Sequence, residues 1–280
     1  MFGRFASPGP PNPSKQDLRR PSLESVLVLA TSSDPDTSDA SDADPAADTD
    51  ASAAVAAGRT AWVELVHNLY DADALPERVA ASRRAAEATR RVVAGLVASD
   101  ADAETLDAAA LALDAVAATL THDRPRSRYE ATGGLRGGVG AESQVWESHP
   151  FLGHSHPFAP PLKVIREGDH SVALVTYSHV YEGPPGAVHG GIVAAGFDMV
   201  LGAAASMAQR PGLTGTLSVR YRKAMPIYRE IRYEGWIDRV EARKTLVAGH
   251  ATADGELVAE GHGIFVAIPE RRLDPPAFDA

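Results

Sequence analysis

Val188-His189-Gly190-Gly191-Ile192-Val193-Ala194-Ala195-Gly196-Phe197-Asp198-Met199-Val200-Leu201 is the stretch on which the fold turns. From 189 to 208 the pattern is helical and apolar nearly all the way round. A helix of that kind has to be buried on most of its sides. The flanking sequence supplies what buries it. Upstream, 163–167 and 171–177 read as strands about a Gly168-Asp169 turn. Downstream come four more strands, over 214–222, 230–240, 244–253 and 257–268, with Asp254-Gly255 as the hairpin turn between the last two. Glu182-Gly183-Pro184-Pro185-Gly186, just before the helix, can be neither helix nor central strand. Two strands, one helix and four strands, without alternating crossovers, predict an α+β domain: an antiparallel sheet wrapped on one long central helix.

The N-terminal half reads differently. Residues 1–57 carry four prolines in the first twenty positions and seven aspartates between Thr31 and Ala54, with no Lys or Arg from Pro21 to Gly58. That composition cannot bury enough apolar surface to offset the entropy of ordering, so a disordered, solvating tail is expected. Residues 58–122 form a helical segment. Trp62, Leu65, Val66 and Leu69 make one stripe, Pro76 opens a second helix running to Val97, and a third spans 103–120 with Asp100 or Asp102 as its cap. Alanine makes these helices easy to form but gives them little to bury, so they are expected to pack on each other or on the domain that follows. Residues 123–157 read as a linker loop, 158–270 as the sheet-and-helix domain, and 271–280 as a short tail.

Composition excludes several functions. The chain of 280 residues has a formal net charge of −10, the wrong balance for gripping nucleic acid by its phosphates. It has no cysteine, which rules out disulfides, thiolate nucleophiles, zinc fingers and iron–sulfur clusters. No apolar run approaches the ~20 residues of a membrane span. Arg19-Arg20 ahead of Val26 to Ala30 is too short and too near Glu24 to be an export signal, so a cytoplasmic location is expected. His149, His154 and His156 lie in the loop without a further ligand at a confirming spacing, and no metal is expected there.

The candidate chemistry lies at the central helix. Its start exposes unpaired backbone N–H groups at the positive end of the dipole, and Gly190-Gly191 lets a substrate approach them closely. That suits a carbonyl oxygen that becomes negative during reaction. Asp198 is a carboxylate in an otherwise apolar run; it is either functional or held by a later arginine. Eight residues separate Gly190 from Asp198, about 12 Å along a helix and about 80° round it. One small carbonyl cannot reach both in a single subunit. Joint action therefore predicts a two-fold dimer with shared sites.

The run Tyr181-Glu182-Gly183-Pro184-Pro185-Gly186-Ala187-Val188-His189-Gly190-Gly191, with Asp198 nine residues after the histidine, resembles the hotdog-fold acyl-CoA thioesterases. The likeness is to the PaaI-like group, especially its carboxyl-terminal-modulator type. Thr214-Gly215-Thr216-Leu217-Ser218-Val219-Arg220-Tyr221-Arg222-Lys223-Ala224-Met225-Pro226 resembles that group's next strand, and Asp238-Arg239-Val240-Glu241-Ala242-Arg243-Lys244 its later strand pair. The resemblance covers 158–268.

It implies a thioester hydrolase of fatty-acid metabolism that needs no metal or bound cofactor. Asp198 takes the catalytic carboxylate position, as general base or nucleophile. Gly190 supplies the backbone N–H that polarises the carbonyl from across the dimer. His189 holds that loop and assists the carbonyl or leaving group, and Thr214 helps to place the attacking water. Glu182 is a candidate to hold His189. Gly183 stands where many relatives carry asparagine, and Met199 where close relatives often carry a second acid. CoA should be held by basic residues. Between Arg220 and Lys244 there are eight basic and four acidic side chains, and Arg222, Lys223, Arg243 and Lys244, with Gly191, are the candidate substrate contacts. The implied partners are an acyl-CoA substrate and further copies of the chain, as a homodimer or homotetramer. The alternatives are a non-catalytic acyl-CoA-binding regulator and an enoyl-CoA hydratase.

Overall fold

The computed structural model describes residues 75–120, 128, 146–208 and 212–267. The expected tail 1–57, the stripe from Trp62 to Leu69, the greater part of the linker loop and the tail 271–280 lie outside the described residues.

The first described helix, α1, spans Glu77–Val97, with Pro76 at its N-cap as the sequence predicts. Helix α2 spans Ala103–Leu120, and Asp102 caps it by accepting the Thr105 N–H at 2.9 Å. The two helices differ in use. Helix α1 docks on the following domain: Arg83 pairs with the buried Glu147, Arg90 donates to the carbonyls of His154 and His156 at 2.7 and 3.0 Å, and the Ala94 carbonyl meets His179 Nε2 at 2.9 Å. Helix α2 buries no residue, and its Leu111 is 73% exposed. Among the described residues, no helix is long and apolar enough to cross a membrane.

Six strands follow the predicted order: β1 Lys163–Glu167, β2 His170–Thr176, β3 Gly212–Tyr221, β4 Glu230–Glu241, β5 Lys244–Ala253 and β6 Glu256–Ala267. Helix α3, Gly190–Ser206, lies between β2 and β3 in the chain, preceded by a 3-10 turn at His179–Tyr181. Every neighbouring pair is antiparallel, in the order β1-β2-β4-β5-β6-β3. Asp254 and Gly255 both have positive φ, 51° and 77°, the geometry of a two-residue hairpin turn that leaves Ala253 paired with Glu256.

The close seat of α3 comes from glycines. Gly235, Gly249 and Gly261 stand opposite one another on β4, β5 and β6 and form a furrow across the sheet. Phe197 and Leu201 of α3 fill it. A Cβ on Gly261 would lie 2.4 Å from the Phe197 ring, and one on Gly249 would lie 3.0 Å from Leu201. Phe197 packs edge-on to Tyr233, with centroids 5.1 Å apart, and the Tyr233 and Tyr177 hydroxyls meet at 3.2 Å. Burial of a side chain the size of Phe197 contributes about 2–3 kcal/mol. Strand β3 forms one edge of the sheet. Among the described residues its one strand partner is β6, and it is exposed along most of its length. A bulge between Thr214 and Thr216 breaks its register near the start.

Candidate active site

Helix α3 begins where three segments converge. The His189 N–H donates to the Tyr181 carbonyl at 2.8 Å, and the Val188 N–H donates to the Met225 carbonyl at 2.8 Å. These bonds fix the entry from the 3-10 turn and from the β3–β4 connection. His189 is the N-cap, its Nδ1 accepting the Gly191 N–H at 3.0 Å. A ring that accepts at Nδ1 carries its proton on Nε2 when neutral, and the side chain is exposed. Tyr221, from the end of β3, donates its hydroxyl to the Gly190 carbonyl at 2.8 Å. The Gly190 N–H takes no partner among the described residues. Gly191 does, through the His189 ring.

Glu182 does not hold His189. Its carboxylate accepts the Gly186 N–H at 2.5 Å and closes the turn before the helix, where Gly186 has a φ of 75°. A Cβ on Gly183 would lie 2.8 Å from the His189 Cα, so the glycine here reflects a close backbone approach.

Asp198 lies two turns further along α3 and is half-buried. Of the two fates open to it in the sequence, the arginine partner is not realised: no Arg or Lys pairs with it among the described residues. Instead it accepts the Thr214 hydroxyl at 2.8 Å. Thr214 stands immediately before the bulge in β3, a device that re-aims a side chain at a strand edge. Strand β3 thus touches α3 at both of its ends. Thr214 meets Asp198 near the start, and Tyr221 meets Gly190 at the finish. Tyr221 is the residue of this constellation to which the sequence assigned no role. Its signal is weak: it shares the helix-facing alternation of Leu217 and Val219.

The four basic candidates do not form one patch in a protomer. Arg222 and Lys223 follow the end of β3 and are paired, Arg222 with Glu260 at 2.6 Å and Lys223 with Glu256. Arg243 and Lys244 sit at the β4–β5 hairpin, where Lys244 registers with Val266 and, beyond it, Leu213 at the start of β3. Arg243 donates to the Ala267 carbonyl at 3.2 Å.

The loop histidines serve the backbone. His149 Nδ1 accepts the Phe151 N–H, and His156 Nδ1 accepts the Phe158 N–H, each at 3.2 Å. Burial holds His149 down to about 4, helped by the charge of Arg128, and burial likewise lowers His154 and His156. Among the described residues, no group of three or more His, Asp or Glu side chains gathers as a metal site.

A family model described as the thioesterase superfamily matches residues 185–260, a span that holds His189, Gly190, Asp198 and Thr214. The crystal structure of a thioesterase superfamily protein is 30% identical over 66% of this chain and 94% of its own, with a TM-score of 0.56. A thioesterase superfamily protein from Shewanella loihica PV-4 is 29% identical over 39% of this chain and 91% of its own, with a TM-score of 0.34. Zebra fish thioesterase superfamily member 2 is 20% identical over 38% of this chain and 81% of its own, with a TM-score of 0.36.

Proposed function

The chain belongs to the thioesterase superfamily, and from that premise we propose that it hydrolyses acyl-CoA thioesters to the free acid and CoA, as a PaaI-like enzyme of the carboxyl-terminal-modulator type. The observation that carries this reading is the double anchorage of β3, with Thr214 on Asp198 at one end and Tyr221 on Gly190 at the other. A two-fold axis at Ser218 would pair this exposed edge antiparallel with its copy, Ser218 opposite Ser218, and the extra residue of the bulge would bring Thr214 opposite Tyr221. Thr214 and Asp198 of one protomer would then meet Tyr221 and Gly190 of the next. The dimer assembles what a single helix holds too far apart.

The chemistry follows from those positions. Asp198, oriented by the Thr214 hydroxyl, takes a proton from water as the water oxygen bonds to the thioester carbon. The oxygen of the tetrahedral intermediate accepts the Gly190 N–H across the interface. The C–S bond then breaks, and CoA leaves as the thiol with the proton that Asp198 took from water, while His189 Nε2–H hydrogen-bonds the departing sulfur. Because a thioester carbonyl is already activated, a carboxylate and an oxyanion donor suffice without a Ser-His-Asp triad.

The same axis accounts for the divided basic residues. It sets Arg222 of one protomer beside Leu213 of the other, in a row with Val266 and Lys244. Three strand spacings, about 14 Å, then separate the two basic pairs, a span that suits the pyrophosphate and ribose phosphate of CoA.

The test is free-thiol release from a panel of acyl-CoAs, with Asp198→Asn alongside. Release that disappears in the variant supports hydrolysis. Tight acyl-CoA binding without release, or hydration of an enoyl-CoA without release, overturns it.

A further inference from the structure

A cavity of about 650 Å³ lies outside the constellation just described. Its walls come from α1, from the segment 152–163 and from the exit of β2, with Val93, Leu152, Phe158, Leu162 and Tyr181 among the apolar ones. It stands at the β1–β2 edge of the sheet, whereas Thr214 is on β3 at the opposite edge. Five strand spacings separate them along the sheet. The volume is that of a small-molecule site, for which ~300–1,000 Å³ is usual.

The charges around it are uneven. Among the described residues, Arg90, Arg91 and Lys163 line it together with the carboxylate of Glu87. Arg90 is committed to the loop carbonyls and to Glu87, which it meets at 3.1 Å. Arg91 shares that same carboxylate at 3.5 Å, and its side chain remains 68% exposed. Lys163 is exposed as well. An apolar interior with cationic side chains at its mouth selects a ligand with a hydrocarbon body and an anionic head. The interior offers little for the many polar groups of a nucleotide or a sugar.

We propose that this cavity is a binding site for a free medium- or long-chain carboxylic acid, its chain against Val93, Phe158 and Leu162 and its carboxylate at Arg91 and Lys163. The site rests on the cavity alone and does not require the hydrolytic reading. It does adjoin the entry to α3, because Tyr181, one of its walls, accepts the His189 N–H at 2.8 Å.

The experiment uses the full chain. Displacement of a fluorescent fatty acid is followed with octanoate, decanoate, dodecanoate, dodecanol and butyrate. A dodecanoate carrying a photoreactive diazirine is then cross-linked and mapped by peptide mass spectrometry. Affinity is expected to rise about threefold per methylene from octanoate to dodecanoate, with butyrate not binding. Arg91→Gln with Lys163→Gln should weaken dodecanoate about tenfold and leave dodecanol unchanged. Val93→Trp, which fills the cavity, should weaken both acid and alcohol tenfold or more. The photolabel should fall in 87–94 and 152–163. Asp198→Asn should bind dodecanoate as the parent does, which separates this site from the fate of the hydrolytic reading. Label concentrated on α3 or β3, an absence of chain-length dependence, or a folded Val93→Trp that binds as tightly as the parent overturns the proposal. If Val93→Trp fails to fold, the labelling map of the parent protein decides.

Discussion

Asp198 is joined to the rest of the site by one hydrogen bond, from Thr214, so the two side chains can be tested separately. Asp198→Asn keeps the shape and removes the proposed base; kcat should fall by about 10²–10⁴. Thr214→Val removes only the hydroxyl, and the loss of one hydrogen bond should lower kcat about two- to tenfold. Steady-state thiol release measures both. His149 gives the pH response at this scale. Its folded pKa, about 4, lies below the ordinary value of 6.5 because burial favours the neutral ring. Its contribution to stability is therefore complete above pH 6.5 and is lost as the pH falls toward 4. Melting temperatures followed from pH 7 to pH 4 should drop, and His149→Gln, which retains an acceptor for the Phe151 N–H, should drop less.

At the scale of elements, the glycine furrow decides how close α3 lies to the sheet. Gly261→Ala would drive a methyl group into Phe197, and overpacking of this kind costs about 1–3 kcal/mol. A lowered denaturant midpoint with an unchanged slope would report it. The elements themselves were legible. Strand periodicity, the Asp254-Gly255 turn, Pro76 and Asp102 marked them to within two residues at every end. The furrow was not, because a glycine in a strand reads only as a weak position until its cross-strand neighbours are known. The division of the basic residues between two places was hidden for a related reason. Arg222 and Lys223 are near Arg243 and Lys244 in sequence, but β4 carries the chain across the length of the sheet between them. The use of α1 was equally hidden. Arg83 and Arg90 look like a solvated helix face, and their partners stand 64 residues away.

For the whole molecule, the proposed self-pairing of β3 makes a prediction that no single-chain site shares. Asp198→Asn and His189→Ala should each be close to inactive alone. When the two are mixed and allowed to exchange subunits, half of the dimers are hybrids. Each hybrid then holds one site with both native groups. Activity should return to about a quarter of the parent's, whereas a site confined to one chain would stay silent. Lysines at Thr216 and Ser218 would charge the exposed edge, an established block to strand pairing. Light scattering should then report a monomer, and thiol release should fall although neither position touches Asp198. The need for a partner was readable from helix spacing as a condition: if Gly190 and Asp198 act on one carbonyl, their fixed separation on one helix calls for a second copy. The edge proposed to supply it required the strand order.

The wall that α1 lends to the cavity is fastened in part at Glu147, which takes Arg83 on one side and the Ser155 hydroxyl on the other. Neither of those fastenings involves β3 or the start of α3. Substitutions in α1 can therefore refit the proposed acid site to another chain length without disturbing the contacts around Asp198.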